Sequence, residues 1–286
     1  MLDNDSSHLD VNNKHHSSIS HFDQNAELIK PKRKSIKQKL ICDWLPPIVV
    51  LLLLIIGLEI CTDGLHLFKE MVMPSPSSIL ISTINFFKLK VGDYQSTFSN
   101  VFIGYCISVP LGLIIAGLLA QTKVLVKAFG PLIVVFAVTP MMVLVPILVM
   151  WTNFASWTRI LAVVIQTVPI IVLNSLAGFT NVPAEKEELA RLYGASKSKR
   201  FFKIVVPQAW PRIFTGLRMG VVNASLGIIS TEFLILGKGM GYRITVACNF
   251  LKFPLVFGCI ILVALTSYLL MTIVSIVEKR VLVWKQ

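Results

Sequence analysis

The sequence predicts an all-α membrane protein with six transmembrane helices, and three observations carry that expectation. Of the 286 residues, 15% are charged and 55% hydrophobic, against roughly 25% charged in an ordinary soluble domain. Mean hydropathy is +0.74. The apolar residues fall in runs close to the ~20 that a helix needs to cross a bilayer core. This balance argues against a cytosolic enzyme, a disordered chain and a fibrous protein.

Residues 1–40 stand apart. Asp3, Asp5, Asp10, Asp23 and Glu27 lie among serines and asparagines, a composition that buries no core and predicts a disordered cytoplasmic tail. The irregular spacing of His8, His15, His16 and His21 favours a solvated segment over a metal site. A basic cluster follows at Lys30, Lys32, Arg33, Lys34, Lys37 and Lys39. A nucleic-acid patch is one reading; a juxtamembrane anchor fits better, because the apolar run begins at Leu45. No signal peptide is expected, since that run starts far from Met1 and no small-residue cleavage site follows.

Residues 41–286 form the expected membrane domain, with spans at about 45–62, 100–121, 128–151, 158–179, 216–236 and 254–277. Pro131, Pro140, Pro146 and Pro169 interrupt two of them, which membrane helices tolerate when neighbours satisfy the freed backbone groups. The stretch 63–99 opens a helix of its own: Ser75 is a cap and Pro76 suits the first position. Ile79, Ile84, Phe87 and Val91 then recur at helical spacing. An interfacial helix on the outer surface and a connecting helix packed on the bundle both fit.

With both termini inside, 20 Lys and Arg lie in inner segments and seven in outer ones, the bias of a multi-pass protein with cytoplasmic termini. The +12 net charge thus reports orientation, and no nucleic-acid partner is expected. Cys42, Cys61, Cys106, Cys248 and Cys259 form no CxxC pair and read as small apolar residues.

No phosphate-binding loop, HExxH, GxSxG or paired His/carboxylate set occurs in the sequence, so no covalent catalysis and no bound cofactor are expected. Gly237 to Gly241 is glycine-rich but lacks phosphate-loop spacing and reads as a flexible turn. Glu232 lies within the fifth span, where an acid marks a pathway, a proton relay or a hydrogen-bonded structural group. Glu59 reads as reaching the interface. Gln166, Asn174 and Asn223 read as helix–helix contacts, and Gly216, Gly220 and Ala224 as a smooth packing face.

The segment between spans four and five is the most informative. Pro183 opens a short polar helix, Glu185, Glu187 and Glu188 favour its N-terminal dipole, and Gly194 closes it. Leu189, Leu192 and Tyr193 share one side. Ser196 caps a second, basic helix expected to end near Pro207. Helix, glycine bend, helix and proline describe a rigid elbow built to dock on a partner.

These residues resemble a known family. Glu188, Ala190, Gly194, Ile204 and Pro207 fit the E-A-A-x3-G-x9-I-x-L-P pattern of permease subunits of bacterial ABC importers, with Leu189 in place of the first Ala and Val206 in place of Leu. Met73 to Ser78, Pro211 to Arg218, Gly239-Met240-Gly241, and Asn174 with Gly178 are similar to segments of the nitrate, sulfonate, taurine and bicarbonate branch. The loop 152–158 lacks the glycines usual there, and Asn100 stands where Arg is expected nearby. The resemblance implies six transmembrane helices with a cytoplasmic coupling-helix loop, in a bacterial inner membrane. It also implies a pair of permeases, expected as a homodimer, with cytoplasmic ATPase subunits that bind the ATP and an external substrate-binding protein. Glu188, Ala190, Gly194, Ile204 and Pro207 would couple to the ATPase. Glu232 and Asn174 are candidates for the solute pathway. A secondary transporter or channel using Glu232 as an ion site, without an ATPase, is the alternative.

Overall fold

In a computed structural model, residues 36–64, 73–235 and 237–282 are described. All secondary structure among them is helical. The chain divides into two units, Met1–Gly57 and Leu58–Gln286. The first contributes most of α1 (Ile36–Glu59), which tolerates Pro46 and Pro47 within it and whose last two residues belong to the second unit. From Val49 to Ile56 every residue is apolar, the pattern of a membrane span. The expected tail lies mostly outside the described residues, but Ile36–Leu40 is helical and continuous with the span.

The second unit continues with a π-helical turn, Ile60–Gly64, and α2 (Pro76–Leu119). The start of α2 forms as its residues dictate. The Ser78 N–H donates to Ser75 Oγ at 3.4 Å, and the Ser77 N–H donates to Glu59 Oε2 at 3.2 Å. Glu59 therefore satisfies one of the free donors of a helix N-terminus. With 44 residues, α2 would run about 66 Å if straight, twice the ~30 Å hydrocarbon core. Lys90, at φ −138° and ψ 31°, breaks it into the amphipathic segment and the span. Ile84, Phe87 and Val91 are exposed, while Phe86 is buried against Met240, Ile244 and Cys259 and Thr83 lies against Gly258, so this segment packs on the bundle by one narrow face. The span expected over 100–121 is thus the second part of a longer helix.

The span expected over 128–151 forms as two helices, α3 (Lys123–Val138) and α4 (Met141–Thr152), bent by 96°. The break falls where the sequence permits one: Thr139 precedes Pro140 and adopts ψ 121°, and the proline ring disfavours the helical region for the residue before it. Five described helices are long and apolar enough to cross a membrane, and six if the bent pair is one span.

At the centre lie α5 (Thr158–Thr180) and α8 (Val206–Leu234). Ala162, Val163 and Ile171 on α5, and Val221, Ala224 and Ile228 on α8, have no exposed surface. Glycines let these helices touch. A Cβ at Gly216 of α8 would stand 2.7 Å from Asn174 Cβ, and one at Gly112 of α2 would stand 2.7 Å from Ile171 Cγ2. The Gly216–Gly220–Ala224 face is thus spent inside the bundle, as small residues are where lipid supplies no hydrophobic drive. Gly112→Leu should overpack this seam by about 1–3 kcal/mol and lower the thermal midpoint of the purified protein. Gly130→Leu, where nothing lies within 4 Å of a Cβ, should leave it unchanged.

Between α5 and α8 come α6 (Ala184–Leu192), α7 (Lys197–Arg200) and a π-helical turn, Phe201–Val205. The second elbow helix does not end near Pro207. Lys197–Leu234 is one helical run of 38 residues. Pro207 sits in the first turn of α8, where a missing N–H is harmless, and the π turn before it resets the hydrogen-bond ladder. The chain closes with α9 (Met240–Asn249) and α10 (Phe253–Val281).

Candidate functional site

The elbow is ordered by its own sequence. Gly194 takes φ +73°, the left-handed conformation that ends helices at little steric cost only for glycine. The Gly194 N–H donates to Arg191 O at 3.0 Å, and the Ala195 N–H donates to Ala190 O at 3.0 Å, which satisfies carbonyls that α6 would otherwise leave open. At the start of α7 the Lys199 N–H donates to Ser196 Oγ. Glu188 is exposed, and it forms no ion pair with Arg191 among the described residues.

Two features mark the elbow: an exposed apolar side and a stem packed on the bundle. Leu189, Leu192 and Tyr193 are 57%, 84% and 85% exposed, on a helix that also carries Glu185, Lys186, Glu188 and Arg191. Behind them the elbow is anchored. Phe201 packs on Phe179 with ring centroids 5.3 Å apart, and Val205, Ala209 and Ile213 join Leu176 and Phe179 in a buried cluster. Ile204 lies in the π turn and Pro207 one turn on, in the stem that joins the elbow to α8.

The two pathway candidates fall in different surroundings. Asn174 lies on the α5–α8 seam, half-buried, its Nδ2 donating to Ile170 O at 2.9 Å. Glu232 has no exposed surface. Thr97 Oγ1 donates to its carboxylate, 2.8 Å from Oε1 and 2.9 Å from Oε2, and the Gly241 N–H donates to Oε2 at 2.9 Å. The Met240 N–H donates to Thr97 Oγ1 at 2.8 Å, and Arg243 Nε donates to Asp93 Oδ2. Two carboxylates thus meet the N-terminus of α9, where the helix dipole favours negative charge. Gly239, Met240 and Gly241 are buried. Gly239 to Gly241 form a packed joint of α2, α8 and α9, while Gly237 and Lys238 before them are exposed.

Sequence reasoning missed Asp93, Thr97 and Arg243. A usable signal existed: Asp93 and Thr97 are four apart and share a helix face. Their partners 135 to 150 residues away carry no local sign of the pairing.

Residues 108–283 match the family model described as binding-protein-dependent transport system inner membrane component. Among similar proteins is the formylaminopyrimidine transport permease protein of Halalkalibacterium halodurans, 28% identical over 243 residues, which are 85% of this chain and 96% of that one. The nitrate import permease protein of Synechocystis sp. is 27% identical, over 82% of this chain and 88% of its own. The taurine transport system permease protein of Escherichia coli is 25% identical, over 54% of this chain and 56% of its own. The methionine ABC transporter solved in inward-facing conformations has the same fold, with TM-score 0.59, 15% identity and coverage of 69% of this chain and 98% of that one.

A bundle of apolar helices with an anchored, amphipathic elbow defines a multi-pass membrane transport subunit. The chain belongs to the binding-protein-dependent transport system inner membrane component family: it is the membrane-spanning permease subunit of an ABC importer. The family implies an ATPase and a substrate-binding protein as partners.

Proposed function

We propose that the permease carries a small oxyanion, of the nitrate, sulfonate or taurine kind, and is driven through the elbow at 183–207. The observation that carries the coupling role is the exposure of Leu189, Leu192 and Tyr193 on an ordered polar helix. In this reading Glu188, Ala190 and Gly194 belong to the part seated on the ATPase, and Ile204 and Pro207 to the stem that joins it to α8. Closure of two ATPase subunits on ATP moves two elbows together and biases a two-state bundle between inward- and outward-open forms. The permease pair is a homodimer, both termini are cytoplasmic, and residues 1–40 form a tail on the membrane domain 41–286. Names of relatives support the solute class, since they include nitrate, aliphatic sulfonates and taurine.

Asn174, on the α5–α8 seam, belongs to the solute pathway. Glu232 is enclosed by hydrogen bonds in the geometry described, which favours its structural role over that of an ion site. The rival, a secondary transporter, needs Glu232 open to water and no ATPase.

The reading is tested by uptake of nitrate, taurine and an aliphatic sulfonate in cells with and without the ATPase subunit, alongside thiol labelling of Lys197→Cys and Lys90→Cys in a cysteine-free background. Uptake is expected to vanish without the ATPase, with residue 197 labelled from the cytoplasm and residue 90 from outside. Uptake that persists without the ATPase favours the rival, and external labelling at 197 defeats the coupling mechanism.

A further inference from the structure

Most outward faces of the bundle are apolar. Phe102, Ile107 and Ile114 of α2 and Ile261, Leu265 and Leu269 of α10 are between 40% and 60% exposed, as lipid contact requires. The α5–α8 seam differs. On α5, Arg159, Gln166 and Asn174 are partly exposed, and spacings of seven and eight residues put them on one helix face. On α8, Arg212, Thr215 and Asn223 are at least partly exposed, at spacings of three and eight. The two rows meet: Gln166 Nε2 donates to Asn223 Oδ1 at 3.4 Å, and Gln166 and Asn174 pack on Gly227 and Gly216.

Depth makes these amides informative. Gln166 lies eight residues after Thr158, and Asn223 eleven before Leu234. At 1.5 Å per residue they sit about 12 and 16 Å from the same end of the bundle, near the middle of a ~30 Å core. Leaving an amide without partners in hydrocarbon costs roughly 2–7 kcal/mol. Among the described residues no hydrogen bond uses Gln166 Oε1 or Asn174 Oδ1. This face therefore meets water or protein.

Charge decides between them. Arg159 stands at one end of the seam and Arg212 at the other, and among the described residues neither forms an ion pair and the buried Arg159 Nε has no hydrogen-bond partner. The nearby carboxylate of Glu232 is enclosed by Thr97 and Gly241. In an isologous pair, residues near the axis face their own copies, so a dry contact on this seam would set arginine against arginine. A water-filled passage avoids that repulsion. Its cationic ends draw anions from either side, and the second N–H of the Gln166 and Asn223 amides, not taken by Asn223 Oδ1 or Met219 O, donates midway without holding a fixed charge that would trap the solute.

We propose that Arg159, Gln166, Asn174, Arg212, Thr215 and Asn223 line the solute pathway, and that the Gln166–Asn223 amide pair is its midpoint selectivity contact for an oxyanion. This rests on the ABC permease reading and gives the proposed oxyanion a site.

The test uses the assembled transporter in permeabilised membranes, with Gln166→Cys, Asn223→Cys and Leu265→Cys in a cysteine-free background. The probes are the anionic ethylsulfonate and the cationic ethyltrimethylammonium methanethiosulfonates. A thiol reacts as its thiolate, which needs water, so residues 166 and 223 should react at least about tenfold faster than 265. Adding Arg159→Gln and Arg212→Gln should lower the anion-to-cation rate ratio at 223 by roughly two- to tenfold. Refractory thiols at 166 and 223, or rates equal to that at 265, overturn the lining. An unchanged ratio overturns the anion selectivity. Co-purification of the ATPase subunit from the same membranes separates these failures from a failure of the permease reading itself, which would show as its absence.

Discussion

Gly194→Asp should abolish uptake while leaving the permease folded and in the membrane. Gly194 has φ +73°, and nothing lies within 4 Å of a Cβ built there. The substitution therefore meets no clash among the described residues. Its intrinsic penalty is that of an L-residue in the left-handed region, roughly 1–2 kcal/mol, and less for Asp, whose side chain can hydrogen-bond locally. Native stabilities of about 5–15 kcal/mol absorb that. What changes is the outer surface of the elbow, beside Leu192 and Tyr193, where a side chain and a negative charge would meet the ATPase. Glu188→Ala should act in the same direction more mildly, because Glu188 holds no ion pair that its loss would break. Co-purification of the ATPase subunit, read with membrane abundance and uptake, decides the matter. Normal uptake by the Gly194→Asp protein would sink the coupling assignment.

Gly239→Ala should destabilise the bundle strongly, from the opposite end. Its φ of +119° and ψ of 165° lie in a region essentially confined to glycine, where an L-residue costs of order 1–3 kcal/mol. A Cβ there would also fall on the Glu232 carboxylate. That carboxylate has nowhere to move, since Thr97 and the Gly241 N–H hold its oxygens. Displacing it would leave buried donors unpaired, at roughly 1–3 kcal/mol each. Gly237→Ala is the control: Gly237 has φ +129° but open space around a Cβ, so it carries backbone strain alone. The thermal midpoint of the solubilised protein should fall clearly further for Gly239→Ala than for Gly237→Ala. Equal effects would show that the packed joint at Glu232 contributes little.

The two glycines show how far local sequence reached. Gly194 was legible because a helix stop is local: an acidic first turn, an apolar side and a terminal glycine fall within twelve consecutive residues. Gly239 lies in a stretch just as rich in glycine, and its role was invisible. Nothing near it in the chain indicates that Asp93 and Thr97 will be brought beneath it. The seam glycines divide in the same way. Gly216 and Gly220 reveal a smooth face by their spacing, but that the face is filled by Ile171 and Asn174 of α5 is a fact of packing.

Local reading sufficed to place this chain in a membrane, to count its crossings roughly and to locate its elbow. These are properties of composition, of run length against bilayer thickness, and of turn chemistry, all summed along the chain. Packing between distant helices settled that the third span bends by 96° at Thr139–Pro140, that the elbow runs unbroken through Pro207 into α8, and that Glu232 is enclosed while Gln166 and Asn223 are partly exposed. A proline sets where a helix is free to break; whether it does so depends on the neighbours available to satisfy its backbone. An acid in an apolar run sets only a cost. Whether that cost is met by water in a passage or by Thr97 and Gly241 depends on which distant helices pack against it.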